Sequence, residues 1–369
     1  MKQKWTIIIA GAITGLMAIL LVKYGNPANM GYCIACFLRD ISGGLGLQKV
    51  ATVQYIRPEI IGMVLGAFGA AVATREFKSL GGSSTLTRFV LGFIAMIGML
   101  VFLGCPLRAI LRLAGGDLNA LWGIAGLIAG VGLGLPILRK GFSLGRAVRQ
   151  NKSNGYVFIG MVITVFILLL AKPAYIMFST EGPASMRAPL ALALIAGVIV
   201  GVLAQRSRLC LAGGIRDFIL FRDSYLLYGF GAILIAALIG NLTMGTFKLG
   251  FEDQPIAHSD GLWNFLGMAL AGLCAVLLGG CPLRQLISAS EGNTDSAVTV
   301  LGLIAGAAFA HNFGLAASAK GVPAAGQTAV LIGFAAVLVI AFFVCRANLS
   351  VRGVKADAGS QGREGASLS

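Results

Sequence analysis

The sequence predicts an all-α integral membrane protein of about ten transmembrane helices plus short re-entrant half-helices, organised as two inverted five-span repeats. Composition gives the class: the 369 residues are 57% hydrophobic and 12% charged, with a mean hydropathy of +0.87, far more apolar than a soluble globular chain. Length gives the helices, because a bilayer core requires roughly 17–25 apolar residues per crossing and the chain supplies ten such runs. Duplication gives the repeat: Gly104-Cys105-Pro106-Leu107-Arg108 recurs residue for residue as Gly280-Cys281-Pro282-Leu283-Arg284.

In chain order, spans are expected near 5–22, 58–74, 87–103, 119–138 and 155–171, then near 188–205, 225–246, 261–279, 297–317 and 327–345. The first run follows Lys2 and Lys4 as a signal peptide would, but no small-x-small cleavage site follows cleanly and the run has a later counterpart. It is read as a helix. Between the first two spans, 27–47 is too short and polar to cross. Its partner is 206–221. Cys33, Ala35, Arg39 and Asp40 map onto Cys210, Ala212, Arg216 and Asp217 at an offset of 177, and Gly126-Leu127-Ile128-Ala129-Gly130 maps onto Gly302-Leu303-Ile304-Ala305-Gly306 at an offset of 176. The units are 1–172 and 173–349, followed by a Gly-, Ser- and charge-rich tail, 350–369, expected to be disordered. Five spans per unit, an odd number, invert the second copy and place a shared site near the bilayer midplane.

Most of the 29 basic residues fall on one side if the N-terminus is inside, the densest segment being 139–152 with Arg139, Lys140, Arg146, Arg149 and Lys152. Both termini are therefore expected in the cytoplasm, with the chain in a bacterial inner membrane. The net charge of +15 lies between apolar spans rather than in a patch, which argues against nucleic acid as a partner. Four arginines defy the rule by lying outside: Arg39, Arg57, Arg108 and Arg112. They either attract an anion or, for Arg57 and Arg112, reach lipid phosphate by snorkelling.

In the duplicated motif, proline suits the first helical turn, so each cysteine sits at a helix start. Each helix is short, running into Gly115-Gly116-Asp117 or Glu291-Gly292-Asn293, and a backbone broken inside a bilayer needs protein or a polar cavity around it. A helix start offers free N–H groups and the positive end of the dipole to an anion. Cys105, Arg108 and Arg112 share one helix face, as do Cys281, Arg284 and Ser288. A thiol beside an anion site points to a soft atom, sulfur or selenium. A neutral thiol donates a weak S–H bond without repelling the guest.

The candidate path residues are Cys105, Cys281, Cys33 and Cys210, with Arg108, Arg284, Arg39 and Arg216. An isolated membrane cysteine is most often a small packing residue. Duplication sets Cys105 and Cys281 apart from that rule, Cys33 and Cys210 stand open between lining and packing, and Cys274 and Cys345 read as packing. Cys33-x-x-Cys36 has redox-pair spacing, but Cys36 has Gly213 as its counterpart and no cofactor motif accompanies it. Arg39-Asp40 and Arg216-Asp217 either assist the path or pin the hairpin mouths as ion pairs. His311 either lines a pathway or bonds a neighbouring helix. No zinc spacing, phosphate loop or nucleophilic triad occurs, so neither a cofactor, a metal nor an enzyme activity is expected.

From Gly31-Tyr32-Cys33 through both pentapeptides to Gly302-Leu303-Ile304-Ala305-Gly306, the chain resembles the YeeE/YedE family of sulfur-compound transporters, in particular its YedE-type branch associated with selenium metabolism. The resemblance implies an hourglass-shaped inner-membrane protein whose cysteines pass the substrate along by weak S–H contacts, with Cys105 and Cys281 matching best and Cys33 as the outer entry. Thiosulfate-type members continue after the first-half cysteine with small, polar residues, where this chain has Pro106-Leu107-Arg108. The expected function is transport of a small sulfur- or selenium-containing anion, a cytoplasmic sulfur- or selenium-accepting protein being the partner that trapping would call for. The alternative is a membrane thiol enzyme or accessory subunit that relays sulfur or selenium covalently.

Overall fold

The computed structural model describes the backbone of residues 2–366 and the side chains of 4–348. Among these residues it contains fourteen α-helices: α1 (Lys2–Lys23), α2 (Ile34–Gly44), α3 (Pro58–Ala73), α4 (Thr85–Phe102), α5 (Pro106–Ala114), α6 (Asn119–Arg139), α7 (Lys152–Ala171), α8 (Leu190–Ser207), α9 (Leu211–Phe221), α10 (Tyr225–Thr243), α11 (Gly261–Leu278), α12 (Pro282–Ser290), α13 (Thr294–Asn312) and α14 (Ala324–Ala366). Ten segments are long and apolar enough to cross a membrane, each overlapping one expected span, and the four short helices fall on the expected half-helix segments. Besides these helices the described residues hold a short 3-10 turn (Ala51–Val53), three isolated bridges and a two-residue antiparallel ladder, β1 (Leu80–Gly81) with β2 (Val148–Arg149). The segment 350–369, expected to be disordered, has its side chains outside the described residues, and helical backbone runs on to Ala366.

The helices pair in a pattern that is preserved when α1–α7 are exchanged for α8–α14. Helix α3 packs on α8 as α10 packs on α1, and α6 packs on α11 as α13 packs on α4. The repeated Gly-Leu-Ile-Ala-Gly explains the second set. Cβ atoms added at Gly126 and Gly130 would collide with the Phe265 and Ala269 carbonyls of α11, and at Gly302 and Gly306 with the Phe89 and Phe93 carbonyls of α4. Absent side chains let the backbones touch, the means by which membrane helices gain packing energy when lipid removes the hydrophobic drive.

Burial follows from this arrangement. The segments holding α4 and α5, and α11 and α12, are each 89% buried, whereas α7 and α14 are 22% buried and turn apolar surface outward. The half-helices lie between the two helix groups: α5 touches α10 and α6, and α12 touches α3 and α13. Each is closed by the opposite repeat. The amides of Lys78 and Leu80 donate to the carbonyls of Glu291 and Gly292 at 3.0 and 3.3 Å, and those of Lys248 and Gly250 donate to Gly115 and Gly116 at 2.9 and 3.0 Å. Gly116 and Gly292 turn the chain there at φ +93° and +95°, a conformation that costs other residues roughly 1–2 kcal/mol. The orphan carbonyls at the end of each half-helix are thereby satisfied by backbone amides of the other half of the chain.

Candidate functional site

Each half-helix begins at a cysteine. Cys33, Cys105, Cys210 and Cys281 are N-caps with extended backbone. The Cys33 sulfur accepts from the Cys36 amide at 3.2 Å and the Cys210 sulfur from the Gly213 amide at 3.3 Å, doing weakly what a serine or aspartate oxygen does at an ordinary N-cap. In α5 and α12 the proline holds the first helical position and the cysteine makes no cap bond. Those two thiols are left for other partners.

The four thiols form two pairs. Cys33 neighbours Cys105, and Cys210 neighbours Cys281, whose amide donates to the Cys210 sulfur at 3.3 Å. Cys105 and Cys281 lie within electrostatic reach of each other. All four are buried, at most 4% exposed. Beside them a cavity of about 10 Å³ is lined by Met99, Pro106, Gly280, Pro282, Gln285 and Thr299, room for about one water. That volume does not admit an anion. The starts of α5 and α12, at Pro106 and Pro282, border it, each presenting the positive end of a dipole.

Preceding the first pair, α4 ends with Leu103 at φ +61°, the position that Gly279 occupies after α11 at φ +82°. Leucine in this left-handed region is strained, and Arg108 holds it by donating to the Leu103 carbonyl.

The arginines of the duplicated motif differ. Arg108 is fully buried, and no carboxylate among the described residues pairs with it. Its donors go to the carbonyls of Leu103, Asn29 (3.2 Å) and Ile256 (3.1 Å) and to the Cys36 sulfur (3.4 Å). It is a buried charge solvated by carbonyls, and it ties α5 to the segments that hold Asn29 and Ile256. Arg284 instead holds Glu291 with two bonds, at 3.3 and 3.1 Å, at 19% exposure. Gly115 stands where Glu291 does, which leaves Arg108 without a counterpart. Glu291 was legible seven residues after Arg284, two helical turns along the same face.

Arg39 and Arg216 each pair with the next residue, Asp40 and Asp217, at 2.7 and 2.8 Å. Asp40 also binds Arg57 at 2.7 Å, and Arg57 donates to the carbonyls of Pro183 and Met186. Arg112 pairs with Asp117 at 2.6 Å and donates to the Phe102 carbonyl. Arg57 and Arg112 are fully buried, so neither snorkels to lipid phosphate; the intervening loops supply partners that spacing does not reveal.

Between the segments expected outside lies a cavity of about 460 Å³, bordered by Arg39, Val50, Leu103, Pro183, Ile256 and His311 among others. Two of these, Leu103 and Ile256, hold Arg108 through their carbonyls, and Arg108 in turn reaches the Cys36 sulfur. His311 has its Nε2 without a hydrogen bond, so the neighbouring-helix bond weighed for it from sequence is absent at that atom. Cys36 brings its sulfur 2.8 Å from that of Cys33 and also contacts Arg108. Cys274 is wholly buried in α11, and Cys345 contacts the Ile137 carbonyl at 3.8 Å.

Comparison with known proteins gives this arrangement a context. The family model described as sulphur transport matches residues 206–363. Over 103 residues the chain is 34% identical to the thiosulfate transporter TsuA of Escherichia coli (strain K12), covering 27% of this chain and 28% of that protein. Over another 103-residue match it is 30% identical to the thiosulfate transporter TsuA of Spirochaeta thermophila, covering 28% of this chain and 31% of that one. Each match spans less than a third of the relative's length.

Proposed function

We propose that this chain, whose residues 206–363 match the family model described as sulphur transport, belongs to the sulphur-transport (YeeE/YedE) family and carries a small sulfur-containing anion across the bacterial inner membrane along its N-cap cysteines. The observation that carries this reading is the pairing of buried cysteines at half-helix starts, Cys33 with Cys105 and Cys210 with Cys281, together with an outer cavity bordered by residues that bind Arg108. The path runs from that cavity past Cys33 and Cys105, then past Cys281 and Cys210 to the inner side, where Arg216 and Arg284 lie. Helix dipoles and the unpaired charge of Arg108 make the first half attractive to an anion. Neutral thiols offer S–H donors to a soft atom without trapping it covalently. In this reading the repeats, 1–172 and 173–349, are inverted and both termini are cytoplasmic. Selenium analogues fit the same contacts, and a cytoplasmic acceptor protein would draw the substrate inward.

The test is uptake by liposomes containing the purified chain, offered labelled thiosulfate, sulfite, selenite and a selenide donor in parallel. Saturable entry of at least one, with no mass added to the protein, is the expected result. Failure to move any of them when the chain is alone would fit an accessory subunit instead. A second reading draws on the 2.8 Å approach of the Cys33 and Cys36 sulfurs, which suits a thiol enzyme passing sulfur covalently. A persulfide or selenosulfide adduct on the intact protein after substrate exposure would support it.

A further inference from the structure

The outer cavity contains two groups with unspent hydrogen-bonding capacity, and the cysteine path uses neither. Arg39 gives Nε and Nη2 to Asp40, at 2.9 and 2.7 Å, and has no hydrogen bond from Nη1. His311 borders the same cavity from α13, close enough to Arg39 to interact with it electrostatically, and its Nε2 is buried without a partner. A buried polar nitrogen left unbonded carries a cost of about 1–3 kcal/mol, which a ligand can remove. The surrounding charge favours an anion: Arg39 and Arg57 share Asp40, Arg108 has no carboxylate, and Glu59, the remaining acid near Arg57, is bonded to Asn26 at 2.7 Å. Three guanidinium groups thus face two carboxylates. Most of the wall is apolar, from Val50, Val53, Leu103, Pro183, Ile256 and the alanines of 316–319, so an ion inside is partly desolvated and feels that charge strongly.

We propose that this cavity is an oxyanion-binding site in which Arg39 Nη1 and His311, its imidazole turning to bring Nε2 to the cavity, hold the oxygen end of the substrate before its soft end reaches the thiols. The proposal rests on the transport reading for its place in the sequence of events, but the site itself is defined by equilibrium binding. Oxygen atoms are hard acceptors suited to N–H donors, and sulfur suits the S–H donors beyond. The two ends of one small anion are thereby sorted between two sets of groups. Sulfate, which has the oxygens and lacks the exposed sulfur, occupies the cavity without proceeding.

The experiment measures binding of radiolabelled thiosulfate to the full chain in nanodiscs, in a Cys105→Ala, Cys281→Ala background that isolates the cavity from the path. Binding is expected to persist in that background and to be displaced by sulfate but not by hydrosulfide. His311→Leu is expected to weaken it about 10-fold or more, the loss of one hydrogen bond to a charged group, and His311→Gln, which restores an N–H donor, to recover most of it. Arg39→Lys keeps the charge and loses the fork, and is expected to weaken binding as well. Thermal unfolding of each variant checks that the fold is intact. The proposal is overturned if thiosulfate does not bind, if sulfate does not compete, or if folded His311→Leu binds as tightly as its parent. Uptake by the wild-type chain is read separately, so loss of flux with this binding pattern intact contradicts the transport reading and leaves the site standing.

Discussion

Arg108→Met is expected to destabilise the protein by about 3 kcal/mol or more, while Arg284→Met costs about 1 kcal/mol or less, although the two arginines occupy the same place in identical pentapeptides. Removing Arg108 takes the donors from the carbonyls of Asn29, Leu103 and Ile256 together, at about 1–3 kcal/mol for each that stays buried. It also releases Leu103 from the bond that supports its left-handed turn. Against this stands the relief of removing a buried charge that has no carboxylate. The carbonyls already solvate that charge, so the loss of three acceptors' partners outweighs the relief. Arg284 differs because Glu291 sits at 13% exposure and finds water when its partner is gone. Thermal or denaturant unfolding of the detergent-purified variants measures both. Equal losses would mean that the asymmetry between the motif copies has no energetic weight.

Cys105→Ala and Cys281→Ala are each expected to lower uptake about 10- to 100-fold, with stability changed by only about 1 kcal/mol. The magnitude corresponds to one or two lost contacts at the narrowest point, where the substrate has no water to substitute for a thiol. These two positions give the cleanest readout because neither sulfur caps its helix. Cys33→Ala and Cys210→Ala lose the cap bonds to Cys36 and Gly213 as well, so a drop in transport there mixes path and folding effects. Proteoliposome uptake normalised to folded protein makes the measurement. Wild-type rates in Cys105→Ala or Cys281→Ala would remove those thiols from the path.

What the sequence made legible follows from local physics. Ten apolar runs of bilayer length became ten membrane-length segments, and a proline after a cysteine, closed by glycine a few residues later, marked two of the half-helices. The offset between repeats identified equivalent residues, and the Gly126 and Gly302 motifs that share it turned out to be equivalent contacts between helices. An offset does not say which residues meet. Arg57 reaches Asp40 because the 45–57 loop folds back over α2, and His311 reaches the Arg39 cavity from 272 positions away. The clamps on α5 and α12 also cross between repeats, which pairwise comparison of equivalent residues does not reveal. Arg108 and Arg284 show the same limit at closest range: an identical motif met a glycine at one helix end and a glutamate at the other.

The central claim, that the anion passes both cysteine pairs within one chain, is tested most directly by substrate protection. Alkylation rates of Cys105 and Cys281 in the membrane-embedded protein, followed by mass spectrometry, would be compared with and without the transported anion. Both thiols are expected to be protected by the transported anion and neither by chloride at the same ionic strength. Protection of one thiol alone, or of neither at saturating substrate, would contradict a path that runs past both.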